Sequence, residues 1–531
     1  MRQPTMSLKQ PYPFHPLLFI IYPALALFAH NARAVPFSTF VLYSAVLLGA
    51  AALLLAILYF VLRDAGKAAL AVTVVILLVL YYVPVHTGLE YIGRGEVSHK
   101  LSFPLYLFTI SFLYHWTTRS QRRMADTTKI LNTMAGVLVL MSLAPAVPYL
   151  LRNLHAEARH TPGSVGETIQ TDRVHPRPNV YHIILDRYAA NVTLKEQYNF
   201  DNQEFMDFLK RKGFSVAPDS TANYLKTGMS LASTLNMEYI NYLREHRAEY
   251  PSDWRPIVDL LKNHRVQRYF KELGYKYIHI GSWWQPTARN DYADVNYNYY
   301  TSDEFSLTLL STSTIPLVSG YLHENFPVLS NVHVDVQEEQ RAAAVYAIEK
   351  IRQTEQDADP SFVFAHILMP HPPRLRDTPK EATKRNEYIS RIAFINKELK
   401  GLIQDLLSRQ PTPVILIQAD EGPFPARYQK KDPDFDWRTA SQSELDRKFR
   451  ILNAMYLPGV APSEVYPSIT SVNTYPLVFS RVFKQDFPLL PDRNYCFVNE
   501  VKHLYDFFDV TDLLRANAPG ARQASLNPGS R

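Results

Sequence analysis

Two acids that close apolar runs, and one threonine between them that opens another, are the residues of this chain best suited to chemistry. Val180-Tyr-His-Ile-Ile-Leu185 stops at Asp186, and Val414-Ile-Leu-Ile-Gln-Ala419 stops at Asp420, followed by Glu421 and Gly422. Short runs rich in β-branched and aromatic residues that end in a charge predict buried strands whose last residue emerges at the rim of a sheet. In open α/β sheets that carboxyl edge is where ligands sit. Asp186, Asp420 and Glu421 are therefore expected to converge on one cation, although the sequence separates the first from the other two. Carboxylates gathered in one place need a counter-charge, and hard oxygen ligands suit manganese, magnesium or calcium better than copper.

Thr227-Gly-Met-Ser-Leu-Ala-Ser233 reads as the start of a helix. A hydroxyl in a first helical turn lies beside free backbone N–H groups and is well placed to meet an anion. Thr227 is thus the expected nucleophile, facing one oxyanion with Asp186 as metal ligand; a helix N-cap and an ordinary surface acid are the plain structural readings of Thr227 and Asp186. Ser230, one turn deeper, is the rival nucleophile. His366-Ile-Leu-Met-Pro-His371-Pro-Pro373 follows another apolar run. Its prolines stiffen a loop that presents His371 as a general acid, a phosphate contact or a ligand of a second metal. His366, Lys226 and Asn223 complete the set of expected substrate contacts.

Taken in order, Asn179 to Asp186, Asn223 to Ser233, Phe364 to His371 and Gln418 to Gly422 resemble the alkaline phosphatase and sulfatase superfamily. With the apolar first third of the chain, the whole is similar to its lipoteichoic-acid synthase and lipid A phosphoethanolamine transferase branches. In that superfamily an acid at the first strand end and a later Asp-His or Asp-Asn pair bind metal together with the nucleophile. The resemblance implies those roles for Asp186, Asp420, Glu421 and Thr227. Glu421 stands where a His is common in the transferase branches, which weighs against zinc while leaving it among the candidate ions. Sulfatases need a Cys or Ser converted to formylglycine in a Cys/Ser-x-Pro-x-Arg context, and Thr227 is followed by Gly-Met-Ser. A threonine oxygen can instead attack phosphorus and form a phospho-threonine, which water or an acceptor hydroxyl resolves. The expected activity is transfer or hydrolysis of a lipid- or glycan-linked phosphoester in the cell envelope. A sulfuric ester hydrolase of the same superfamily and a catalytically inactive, envelope-binding relative are the alternatives.

The elements that must position these residues follow from how apolarity is distributed along 531 residues, too many for one ordinary compact domain. Hydrophobic residues make up 47% of the chain, with the long apolar runs concentrated in residues 1–151. Five segments approach the roughly 20 residues that a membrane span needs: Pro16 to Phe28, Phe40 to Leu62, Ala68 to Val85, Leu101 to Trp116 and Ile130 to Leu151. Arg2, Lys9, Arg63, Lys67, Arg119, Arg122, Arg123 and Lys129 bias the N-terminus and alternate loops to the cytoplasm, so the chain after Arg152 is expected outside an inner, cytoplasmic membrane. Residues 152–178, broken by Pro and Gly, read as a juxtamembrane linker, and residues 515–531 as a disordered tail.

In residues 179–514 helices and strands alternate: a helix at Asn202–Lys212, one at Ile257–Leu273 before a strand at Tyr275–Ile280, one at Arg341–Arg352 before Ser361–Ile367, and one at Tyr388–Leu407 before Pro413–Ala419. That alternation predicts an α/β domain with a largely parallel sheet covered by helices on both faces, alkaline-phosphatase-like, with Arg450–Leu457 as a further strand. The one cysteine, Cys496, excludes an intramolecular disulfide framework and a Cys-based metal cluster. A net charge of +6 without a long basic run argues against nucleic acid as a partner.

Overall fold

The computed structural model describes residues 11–31, 35, 37–93, 97–156, 177–248, 253–300, 304–325, 336–354, 359–371, 381–431 and 434–516. The chain forms two compact units. One comprises Met1–Val165 with Ser302–Val334, and the other Gly166–Thr301 with Asp335–Arg531.

The first unit is helical. Its helices run His15–Asn31, Phe37–Leu62, Ala65–Gly93 with a π-helical turn at Leu77–Tyr81, His99–Thr118 and Gln121–Ala156. Among the described residues three stretches, Phe37–Leu62, Ala65–Glu90 and Gln121–Ala144, are long and apolar enough to cross a membrane. Phe37–Leu62 is apolar all round and leaves Leu42, Val46, Leu53, Ile57 and Phe60 exposed, as expected of a helix solvated by lipid. The last helix continues to Ala156, so the first residues expected in the linker are helical; residues 157–176 of that linker lie outside the described part.

The second unit is built on a seven-stranded sheet in the order β2-β7-β6-β1-β5-β3-β4. The strands are β1 Val180–Leu185, β2 Ser215–Val216, β3 Lys276–Ile280, β4 Val295–Tyr297, β5 Ser361–Ile367, β6 Val414–Ala419 and β7 Asn453–Tyr456. Strands β4, β3, β5, β1 and β6 are parallel, whereas β7 runs antiparallel to β6. All six residues of β1 and of β6 are buried, because each face of the sheet carries its own apolar layer. Val180, Ile184, Phe362, Phe364, Val414 and Leu416 face one layer, together with Met229, Leu231 and Leu235 of the Thr227–Asn236 helix. Tyr181, Ile183, Leu185, Val363, Ala365, Ile415 and Ile417 face the other, covered by Ile392, Ile395, Leu399 and Leu402 of the Glu381–Leu407 helix.

Some expected boundaries move. The helix expected over Ile257–Leu273 is two, Arg255–Lys262 and Arg265–Glu272. The break falls at Asn263-His264, where His264 turns to an extended conformation and its side chain accepts the Gln267 N–H as an N-cap. Arg515 and Ala516, expected in the C-terminal tail, belong to the helix Thr511–Ala516; residues 517–531 lie outside the described part.

Candidate active site

Strand register brings the site together. In β1 pairing, Ile184 lies opposite His366 of β5 and Gln418 of β6. Side chains alternate faces along a strand, so Asp186, His366 and Asp420 all belong to the face covered by the Thr227 helix. They sit at the carboxyl ends of three adjacent parallel strands. One ligand atom from each lies within 4.8 Å of the others, and all three residues are buried.

What these atoms lack is as informative as their spacing. Asp186 Oδ1, His366 Nε2, Asp420 Oδ2 and the Ser230 hydroxyl are buried without hydrogen-bond partners, as is Glu421 Oε2, which faces Lys448 in an ion pair instead. Buried polar atoms are nearly always satisfied, so four orphans in two strand ends, a strand and the neighbouring helix mark a place shaped for something else. The donor set fits a divalent cation. His366 offers one nitrogen to the gap, 3.9 Å from Asp186 Oδ2, while its Nδ1 lies 2.8 Å from the Thr287 hydroxyl, itself 3.0 Å from that of Ser282. Such an outer hydrogen bond fixes the ring and the tautomer of a ligating histidine. Burial holds His366 down to about 3, so the imidazole is neutral. Burial, then the charge of Asp420, pushes Asp186 well above the usual carboxylate range. Burial and Glu421 raise Asp420 to about 6, while the neighbouring Thr227 hydroxyl works in the opposite direction.

Thr227 opens its helix with Lys226 as an uncapping N-cap, leaving the first-turn N–H groups directed outward. Gly228 behind it is packed closely: a Cβ there would lie 3.2 Å from Ile257 and 3.4 Å from Trp254. Thr227 stands close enough to Asp420 to favour its carboxylate form, which puts the hydroxyl beside the same cluster.

Glu421 is drawn elsewhere. Its carboxylate lies 3.0 Å from Arg187 Nε and 2.8 Å from Lys448 Nζ, and both Glu421 and Lys448 are fully buried. Lys448 also donates to the Gly422 carbonyl at 3.0 Å and sits 3.3 Å over the Phe424 ring. Burial lowers Lys448 to about 7, with Glu421 acting in the opposite direction. The structure therefore groups His366, and not Glu421, with Asp186 and Asp420. Asn223 is a structural latch: its amide donates to Thr470 and to the Arg493 carbonyl, and its oxygen accepts from Val472 N–H. Lys226 is paired with Glu500 and Tyr428 and lies 4.4 Å over Phe424. His371 ends the described part of its loop, where its carbonyl accepts from Arg391 at 2.9 Å; residues 372–380 lie outside the described part.

Arg187 is the residue that sequence reasoning missed. It adopts a left-handed backbone, φ 62°, uncommon for a non-glycine residue and a marker of a constrained site. The Tyr388 hydroxyl donates to its carbonyl at 2.7 Å, and its N–H donates to Asp420 Oδ1 at 2.9 Å. Its guanidinium lies 4.4 Å over Phe424, with Nε 3.6 Å from Asp186. Burial works against its charge, but Glu421, Asp186 and Asp420 outweigh that and keep it protonated. Only Nε is spent on Glu421; the two terminal nitrogens have no protein acceptor among the described residues, and the side chain keeps 21% of its exposure.

Fold and rim together define an α/β domain with a candidate metal centre at the carboxyl edge of its sheet. No family model matches the chain, and no curated protein matches it. Among solved structures it is similar to the C-terminal periplasmic domain of EcEptC from Escherichia coli in complex with zinc, at 11% identity over 65% of this chain and 96% of that one, TM-score 0.41. It is also similar to the phosphonate monoester hydrolase SpPMH from Silicibacter pomeroyi, at 14% identity over 59% and 74%, TM-score 0.36. A protein in the alkaline phosphatase superfamily from Vibrio parahaemolyticus matches at 11% identity over 67% and 89%, TM-score 0.37. These are likenesses of fold alone.

Proposed function

We propose that this chain is a membrane-anchored, metal-dependent phosphoester transferase or hydrolase of the alkaline phosphatase and sulfatase superfamily, acting on a lipid- or glycan-linked phospho-group in the cell envelope. The N-terminus lies in the cytoplasm and the α/β unit outside the cytoplasmic membrane. The observation that carries the reading is the set of partnerless atoms on Asp186, His366 and Asp420 beside a helix-opening threonine.

Asp186, Asp420 and His366 hold the ion, with Thr227 in reach. When bound, a divalent ion supplies charge neutralisation and favours the deprotonated form of a nearby hydroxyl. The residues do the rest. Thr227 Oγ, its proton released to solvent water, attacks phosphorus, the P–O bond to the leaving group breaks, and a phospho-threonine remains. Water or an acceptor hydroxyl then attacks that phosphorus and returns Thr227. The first-turn N–H groups and the Arg187 fork hold the phosphoryl oxygens. Asp186, Asp420 and Glu421 against Arg187 and Lys448 leave a formal surplus of one negative charge. One divalent ion turns that into one positive charge, which suits an anionic ester.

The test is the purified full-length protein loaded with manganese and offered bis(4-nitrophenyl) phosphate and 4-nitrophenyl sulfate. Thr227→Ala is expected to abolish diester turnover, and intact-mass measurement of the wild type to find a stable adduct on Thr227 at low pH. Undiminished turnover by Thr227→Ala ends the proposal, and preferred release of sulfate moves it to the sulfatase alternative.

A further inference from the structure

The sequence between Phe305 and Leu322 contains no charged residue, although it lies in the half of the chain that is otherwise polar. It forms two helices, Glu304–Ser311 and Ile315–Asn325. At 1.5 Å per residue the first is about 12 Å long, well short of the roughly 30 Å hydrocarbon core of a bilayer. An apolar segment of that length is a re-entrant or interfacial element or part of a protein core. This one belongs to the helical unit. Phe305 and Leu309 are buried against Ala24 and Phe28 of the first helix, and Phe305 meets Tyr43 at 5.8 Å between ring centroids.

The tip of the hairpin penetrates far. The Thr314 N–H donates to the Val79 carbonyl at 2.8 Å, and its hydroxyl reaches the carbonyls of Leu78 and Val79 at 3.2 and 3.3 Å. These carbonyls lie at the midpoint of the Ala65–Glu90 span, inside its π-helical turn. A π turn displaces the regular ladder and leaves carbonyls to be satisfied from outside, and within hydrocarbon only protein can do so. Four of the hairpin's own hydroxyls are also satisfied internally. Ser311 donates to Thr308, Thr312 to Leu309, Ser313 to Leu310 and Ser319 to Pro316, each to a backbone carbonyl. Meanwhile Leu310, Ile315, Val318 and Tyr321 are 42%, 49%, 43% and 63% exposed. Hydroxyls folded back on the backbone and large side chains turned outward are what a hydrocarbon solvent selects.

We propose that Glu304–Asn325 is a re-entrant helical hairpin embedded in the bilayer, and that the face bearing Leu310, Ile315 and Val318 contacts lipid acyl chains. The occupant follows from depth: a tip bonded at mid-span cannot leave its flanks in water. The inference rests on the reading that Phe37–Leu62 and Ala65–Glu90 cross a membrane.

The experiment places a nitroxide on Leu310→Cys, Val318→Cys and, as a reference in an accepted span, Ile57→Cys. The full-length protein is reconstituted in vesicles of phosphatidylethanolamine and phosphatidylglycerol; native Cys496 is buried and stays unlabelled. Oxygen is expected to relax the labels at 310 and 318 as strongly as at 57, with the water-soluble nickel chelate several-fold weaker at all three. Nickel access at 310 and 318 with oxygen access at 57 overturns the hairpin alone. Nickel access at all three overturns the membrane reading with it. Spin–spin broadening at 310 or 318 in singly labelled protein overturns the lipid assignment in favour of a second copy of the chain.

Discussion

Four residues test the proposed cation site, and each yields a different expectation. Glu421 has both oxygens committed to Arg187 and Lys448, so Glu421→Gln should leave manganese affinity within a few-fold of wild type by isothermal titration. Thr287 never touches the ion but orients His366. Loss of such an outer partner costs about 10- to 100-fold in metal affinity, and Thr287→Val should show a loss of that order. Equal losses for the two variants would mean that Glu421 is a ligand after all. Arg187→Met should weaken inhibition by inorganic vanadate about 10- to 100-fold, the value of a charge-assisted bond of about 1.5–3 kcal/mol. The pH dependence follows from Asp420, raised to about 6 from an ordinary 3.8. Between those values the folded protein holds a proton that the unfolded chain releases, so cation-free stability falls as pH rises through the window. A cation needs the deprotonated carboxylate, so the melting-temperature gap between manganese and chelator should widen as pH rises through about 6. A gap that does not change with pH counts against Asp420 as a ligand.

Elements explain which of these residues the sequence reveals. Asp186 and Asp420 are legible because each ends a fully buried parallel strand, and Thr227 because it opens a helix. Parity was the unused signal for His366. It lies two residues before the rim on a strand whose Phe362 and Phe364 share its face, and Asp186 and Asp420 share that face too. Arg187 and Lys448 had no local signal, since their meaning comes from Glu421 and from a left-handed turn held by the Tyr388 hydroxyl and by Asp420, both distant in sequence. The helix Gln442–Phe449 adds a further constraint. Gly422 N–H donates to the Lys448 carbonyl at 2.8 Å, and a Cβ on Gly422 would lie 2.1 Å from the Arg447 carbonyl oxygen. Gly422→Ala must therefore push apart the two segments that carry Asp420 and Lys448. It is expected to lower the melting temperature by several degrees, as a loss of about 2–4 kcal/mol from backbone strain and a broken buried pair implies. An unchanged melting temperature would show that the segments part freely.

At the scale of the whole molecule, the chain is two compact units of unlike solvent preference, and their boundary in sequence is not one linker but three crossings, because residues 302–334 return to the helical unit. Length and composition made the first crossing legible in the Pro- and Gly-broken stretch after Arg152. The return was not legible from hydropathy, because Glu304–Ser311 and Ile315–Asn325 are each too short to register as a span. Their meaning comes from Thr314 bonding carbonyls that belong to a span more than two hundred residues earlier. A consequence follows for any soluble form. A chain beginning at Gly166 and lacking the N-terminal helices still carries Phe305, Leu309, Leu310, Ile315 and Val318, now without the helices that bury the first two. An apolar patch of that kind seeks membrane or another copy. That truncated protein should sediment with phosphatidylglycerol vesicles, or aggregate without them. Replacing residues 302–334 by a short Gly-Ser linker should return it to the supernatant as a monomer that manganese still stabilises, since every residue of the metal cluster lies outside the excised segment. If the excised form fails to fold while the unexcised form stays monomeric without vesicles, the segment is part of the α/β unit's own core, and the division into lipid-facing and water-facing halves is wrong.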